Sequence, residues 1–233
     1  MRENVAKFYC VITLLFISLN LFISCQRAKV VDSFPVPSPG GLAFDGSNIW
    51  INGVEEIWQL DTSGNIINYF DSPSTYSGLT CDGTYLWLID FISAGNGMLY
   101  KLDTEMNIID IFDISVVVFP MDLAYDGEYL WLIDFFADNI YKLDTSGNII
   151  DVFDSPCASP TGLGFDGTHL WLSAPDGDLG LNKLYKIDMN GNVKNSFYAP
   201  GRFSTGITFD GQHLLLSAIN NLQTPTIYKL NIF

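Results

Sequence analysis

Basic side chains are scarce in this chain: 11 lysines and arginines stand against 26 aspartates and glutamates, a formal charge of −15. A surface so poor in cations cannot displace counterions from a phosphate backbone, which excludes nucleic acid as a partner. Histidine is scarcer still, with His169 and His213 alone, so a multi-histidine metal centre is excluded. No nucleophile elbow, phosphate-binding glycine loop or zinc-type His/Cys spacing occurs. Absent too, past the first residues, is any apolar pattern of period 3.6 sustained over helical length. What remains is a chain 48% hydrophobic and 14% aromatic, the composition of a packed globular protein.

The N-terminus reads as an export signal. Arg2 and Lys7 precede the apolar run "FYCVITLLFISLNLFIS", which is followed by Cys25 and the polar "QRAKVVD". The run is at the short limit for a membrane-spanning helix, so a cleaved signal over 1–24 is expected. Removing Arg2, Glu3 and Lys7 with it moves the charge from −15 to −16. "LFISC" at 21–25 resembles the lipobox of bacterial lipoproteins, which implies a lipidated Cys25, a short linker over 25–29 and an extracytoplasmic protein held at the envelope. A plain signal peptide ending near a cysteine is the alternative. With Cys10 in the signal and Cys25 in the anchor, only Cys81 and Cys157 remain, too few for a disulfide framework, and two unpaired, partly buried thiols are expected.

Self-similarity dominates the rest. "GLAFDGSNIWIN" at Gly41, "GLTCDGTYLWLID" at Gly78, "DLAYDGEYLWLID" at Asp122, "GLGFDGTHLWLS" at Gly162 and "GITFDGQHLLLS" at Gly206 align at spacings suited to one propeller blade per repeat. Each is followed by a second block such as "IYKLDTSGNIIDVF". Both "DG" and "DTSGN" are tight-turn strings, so each unit encodes four short strands; in the fourth unit these are 163–165, 170–172, 184–187 and 192–197. The last unit stops after its third strand, and "KVVDSFPVPSPGG" matches the missing fourth. The reading is an all-β, five-bladed β-propeller over 30–233, closed by the N-terminal strand and expected to be monomeric. Trp50, Trp87, Trp131 and Trp171 share one position of the second strand and are assigned to packing between blades, with Leu215 in that place in blade five.

These units resemble the NHL, YVTN and lyase-type propeller repeats in their "GLAFD" and "IYKLDTSGN" strings over residues 30–233. Propellers of this kind include lyases, lactonases, cyclases and binding modules. Among five-bladed members, the glutaminyl cyclases of the plant and bacterial type resemble this chain in scale and secretion. The resemblance places their catalytic glutamate near "IWINGVEE", where Asn52 aligns and Glu55 and Glu56 are displaced.

Function is sought on the face that carries the loops of variable length, from second to third strand and from each outer strand to the next inner one. Asp90 and Asp134 occupy one position in blades two and three, where Asn52, Ser173 and Ser217 stand elsewhere; two readings are open, a Ca²⁺ or acid–base pair at the channel mouth, and caps on loop amides. Asp122 replaces the glycine that starts every other inner strand; it has no evident scaffold reason and is expected to point into the channel entrance. Asp176 and Asp178 flank Gly177 at a spacing compatible with calcium but also with a solvated turn. Arg202 and Phe203 offer a cation and an aromatic ring that could bind a carboxylate. A module that binds a small molecule, peptide or envelope protein through this face, with no cofactor beyond calcium, is the first reading. A cyclase- or lyase-type enzyme using Asp122, Asp90 and Asp134 is the second, and a purely structural envelope module the third.

Overall fold

The computed structural model describes residues 27–232, apart from 54, 73–75, 92, 95 and 178–180. Among these residues there is no helix; twenty strands form five antiparallel four-stranded sheets. After β1 (Lys29–Pro35), blade one holds β2 (Leu42–Phe44), β3 (Ile49–Asn52), β4 (Glu56–Leu60) and β5 (Ile66–Asp71). Blade two holds β6 (Tyr76–Cys81), β7 (Leu86–Phe91), β8 (Gly97–Leu102) and β9 (Ile108–Asp113), and blade three β10 (Pro120–Tyr125), β11 (Leu130–Asp134), β12 (Asn139–Leu143) and β13 (Ile149–Asp154). Blade four holds β14 (Gly162–Phe165), β15 (Leu170–Asp176), β16 (Leu181–Ile187) and β17 (Val193–Tyr198). Blade five holds β18 (Arg202–Phe209), β19 (Leu214–Ile219) and β20 (Pro225–Asn231). As the split repeat requires, β1 pairs with β20 from Lys29↔Asn231 to Pro35↔Thr226 and completes that sheet.

The "DG" turns explain why each blade forms locally. Asp45 takes the amides of Ser47 and Asn48 on one carboxylate oxygen, at 2.8 and 2.7 Å, while Gly46 supplies φ = +96°. Its other oxygen accepts the Trp50 indole N–H at 2.7 Å. The same double use recurs at Asp82 with Trp87, Asp126 with Trp131 and Asp166 with Trp171. Turn and core are thus fastened by one side chain. Each Trp is buried and lies against an outer-strand phenylalanine, as Trp50 does against Phe70 at 5.8 Å. The clusters join adjacent blades: Trp50 and Ile57 meet Leu79, Leu86 and Leu88 of blade two. Between blades five and one, Leu215 and Ile227 pack with Phe34, Leu42 and Ile49 instead.

At the outer edge of every blade an Asp or Asn turns back on the strand. Asp32, Asn68, Asp110, Asp151 and Asn195 each accept a hydrogen bond from the amide of the next residue at 2.8–3.0 Å. Cys81 and Cys157 are free thiols, partly buried, and burial pushes both up to about 11.

Candidate functional site

The inner strands converge so closely that the axis has almost no room. A Cβ on Gly41 would lie 2.6 Å from the Leu79 nitrogen, and one on Gly78 would lie 2.6 Å from the Cα of Asp122. The four glycines therefore clear the hub for a single side chain, that of Asp122. This corrects the expectation from sequence: Asp122 is fully buried and does not stand in the channel entrance. It also has a scaffold reason. Oδ2 accepts the amide of Leu163 in blade four at 2.8 Å. Burial holds its carboxyl well above the ordinary carboxylate range, against the opposing pull of the amides of Leu163, Leu123, Leu79 and Ile207. Those amides come from blades two, three, four and five, so the group faces most of the hub at once.

Asp134 is also buried, and of its two readings the structure displays the capping arrangement. Oδ2 accepts from Val118 N at 2.7 Å, and Oδ1 from Phe136 N and Ala137 N at 3.0 Å each, with Phe119 N at 3.3 Å. Both loops of blade three on this face are held by that one carboxylate. Asp90 is buried beside Tyr100; burial, the Asp90 charge and a hydrogen bond to Asp90 raise the tyrosine hydroxyl above its usual range. The strand register corrects the alignment of these acids with Ser173 and Ser217: opposite Asp122 stands Ile133, as Ser173 stands opposite Gly162 and Ser217 opposite Gly206. The serines therefore lie one residue earlier in the strand, where Ser173 meets the Thr161 hydroxyl at 3.2 Å and Ser217 accepts the Gly40 amide at 3.2 Å. Asp176 ends β15, paired with Leu181, while Asp178 lies outside the described residues. Among the described residues no group of three or more His, Cys, Asp or Glu side chains is placed to hold a metal ion.

The structure brings Arg202 and Phe203 to a cavity of about 400 Å³ on the loop face. Its inner wall is formed by the residues just before Asp122, Gly162 and Gly206 in blades three, four and five: Met121, Thr161 and Thr205. Its outer wall comes from Pro175, Leu181 and Asn182 of blade four. The volume falls in the range of about 300–1,000 Å³ common for ligand sites.

A bulge shapes the cavity mouth. In the pairing of β18 with β19 the register slips between Arg202↔Ile219 and Gly206↔Ser217, leaving three residues of β18 opposite Ala218. Asn182, itself buried, takes up the freed donors when its amide is assigned the orientation its neighbours require: the side-chain oxygen then accepts Phe203 N at 2.7 Å, Ser204 N at 2.6 Å and Ser204 Oγ at 3.0 Å. Its backbone carbonyl accepts Ala199 N at 2.9 Å, so both ends of the 199–204 loop hang on one residue. Phe203 is held at φ = +50°, a left-handed conformation costly for a residue with a Cβ, and its ring is 69% exposed.

Sequence reasoning missed Asn182. Its segment "SAPDGDLGLN" is one of the variable loops, and the register counterpart of Asn182 in blade five is Pro225, so no recurring residue type marks it. It also missed an aromatic cluster over blades two and three, where Phe119 meets Phe91 at 4.2 Å, Phe136 at 4.9 Å and Phe135 at 5.8 Å. The strings "DFI", "DFF" and "VVVF" carried that signal.

No protein-family model matches the sequence, and no curated protein matches it. Solved structures do. A glutaminyl cyclase from Myxococcus xanthus superposes with a TM-score of 0.71 over 88% of this chain and 96% of its own, at 13% identity. Virginiamycin B lyase from Staphylococcus aureus superposes with a TM-score of 0.50 over 86% of this chain and 69% of its own, at 20% identity. At such identities the likeness is one of fold alone.

Proposed function

We propose that this protein is an exported, lipid-anchored binding module whose ligand enters the loop-face cavity between Met121, Leu181, Asn182 and Arg202. One observation carries the reading: a built cavity of about 400 Å³ whose mouth is a strained bulge pinned by the buried Asn182. Strain held in place by a dedicated buried side chain is a cost that a bare scaffold has no use for. Function grafted on the variable face of a uniform repeat fits the same picture. The anchoring half of the proposal rests on Cys25, which lies outside the described residues, and on the apolar run before it. Thermal denaturation of the protein across metabolites, short peptides and divalent ions tests binding. A true ligand at 100 times its Kd adds about 2.7 kcal/mol of stability. If no compound raises the unfolding temperature, the binding reading fails. Release of the protein from the membrane fraction on Cys25→Ser tests the anchor.

Cyclase or lyase chemistry at the channel mouth is the second reading, and its support is the fold likeness to the Myxococcus xanthus glutaminyl cyclase. Asp134 has both oxygens on loop amides and Asp122 is sealed in the hub; Asp90, hydrogen-bonded to Tyr100, is the loop-face acid to test. Turnover of a peptide with an N-terminal glutamine, abolished by Asp90→Asn, would displace the first reading.

A further inference from the structure

From Lys101 onward, charge is allotted in a way that singles out one residue. Lys101 lies over Tyr85 and Trp87, Lys142 over Tyr129 and Trp131, and Lys186 over Trp171 while it pairs with Asp166 at 3.3 Å. Lys183 lies over Tyr185 and Tyr198. Lys194 meets Asp188 at 2.7 Å, and Lys229 donates to the Thr62 carbonyl at 2.6 Å over the Phe34 ring. From Lys101 to the last residue the only other cation is Arg202. Among the described residues no acid lies within ion-pair distance of it and no ring lies beneath it, although the protein carries a charge of −15. Its exposed guanidinium stands at the mouth of a cavity whose other walls include Met121, Pro175, Leu181 and Phe203.

We infer that the cavity takes an organic carboxylate with an apolar body, the carboxylate held by Arg202 and the body laid against Phe203, Leu181 and Met121. This rests on the binding function proposed for the same cavity. The pairing follows from chemistry: a guanidinium offers a planar fork of donors that matches a carboxylate, and an aromatic ring next to it in sequence covers the adjoining apolar surface. The remaining acidic surface repels anions at long range, so a carboxylate finds attraction at this mouth and repulsion over most of the rest. A free small acid and the carboxyl end of a peptide with an apolar last residue present the same group.

The test uses the full-length protein and 4-phenylbutyrate, with 4-phenylbutan-1-ol, of the same carbon skeleton, as neutral partner, titrated by calorimetry while the Met121 methyl is followed by NMR. A charge-assisted pair at a partly open mouth gives a preference for the acid of about tenfold. Arg202→Gln is expected to remove that preference and leave the alcohol's affinity unchanged, and Arg202→Lys to restore part of it. The tripeptide Gly-Gly-Phe and its C-terminal amide separate the two sources: binding that amidation abolishes identifies a peptide terminus, and binding of 4-phenylbutyrate alone identifies a free acid. Equal affinity for acid and alcohol, with the Met121 methyl shifting for both and Arg202→Gln changing neither, overturns the carboxylate and leaves the cavity a binding site. Silence of the Met121 methyl to all four compounds overturns both.

Discussion

The two faces of the propeller use the same residue types to opposite ends. On the face of constant turns, Asp45, Asp82, Asp126 and Asp166 each cap two amides and hold a tryptophan indole, four times over with bond lengths that agree within about 0.1 Å. On the loop face the ties vary: Asp134 holds four amides, Asp90 faces Tyr100, and Ser173 and Ser217 meet the hydroxyls of Thr161 and Thr205. An acid in this protein is a tie before it is a reagent. What differs between the faces is the leftover: the constant face engages its lysines on rings and acids, and the loop face keeps Arg202 in reserve beside a cavity.

Substitutions that break this contrast rank by how much of the scaffold each tie carries. Trp50→Ala empties a fully buried wedge between blades one and two and is expected to cost about 3–5 kcal/mol in a denaturant titration. Asp122→Ala leaves the Leu163 amide without its acceptor inside the hub, a loss of about 1–3 kcal/mol. Its pH dependence carries the sign of a raised acid. The folded state binds the proton more tightly than the unfolded chain, so wild-type stability falls as pH rises from 3.8 through the folded value. Asp122→Ala is expected to lack that fall, which makes its cost largest at the acidic end; a parallel pH profile for variant and wild type would count against this.

Asp45→Ala, on the constant face, removes a turn cap and the indole's acceptor for about 1 kcal/mol. Here the sign reverses. Burial raises the Asp45 carboxyl, but the bonds from Trp50, Asn48 and Ser47 outweigh it and hold the group below 3.8, so its contribution is present above that pH and is lost as pH falls through the folded value. Arg202→Gln closes the series. With no partner among the described residues, its removal is expected to move stability by less than about 0.5 kcal/mol, even as it removes the carboxylate preference. Loss of folding stability in that variant would mean that Arg202 belongs to the scaffold after all.

The repeat made the fold readable, because five copies of one string expose which residues the scaffold demands. Asp166 and Gly167 are identified as a turn by their recurrence in every blade. The same device misled at Asp122, where departure from a repeated glycine suggested a functional acid. The four glycines mark crowding at the axis, and one side chain in five is what the hub accommodates. Crowding between strands far apart in sequence leaves no local pattern, and neither does the reach of Asn182 across to Phe203 and Ser204, which joins two blades through a loop whose residues do not recur.

The outer strands bear on how such a molecule keeps to itself. They expose Ile66, Ile67, Ile108, Ile109 and Ile150, the kind of edge that draws another strand alongside. An incoming strand needs amides to pair with, and in every blade Asp32, Asn68, Asp110, Asp151 or Asn195 already occupies one in the middle of the edge. The rim is therefore greasy without being adhesive. Chains crowded on a common surface can jostle edge to edge without zipping into a shared sheet.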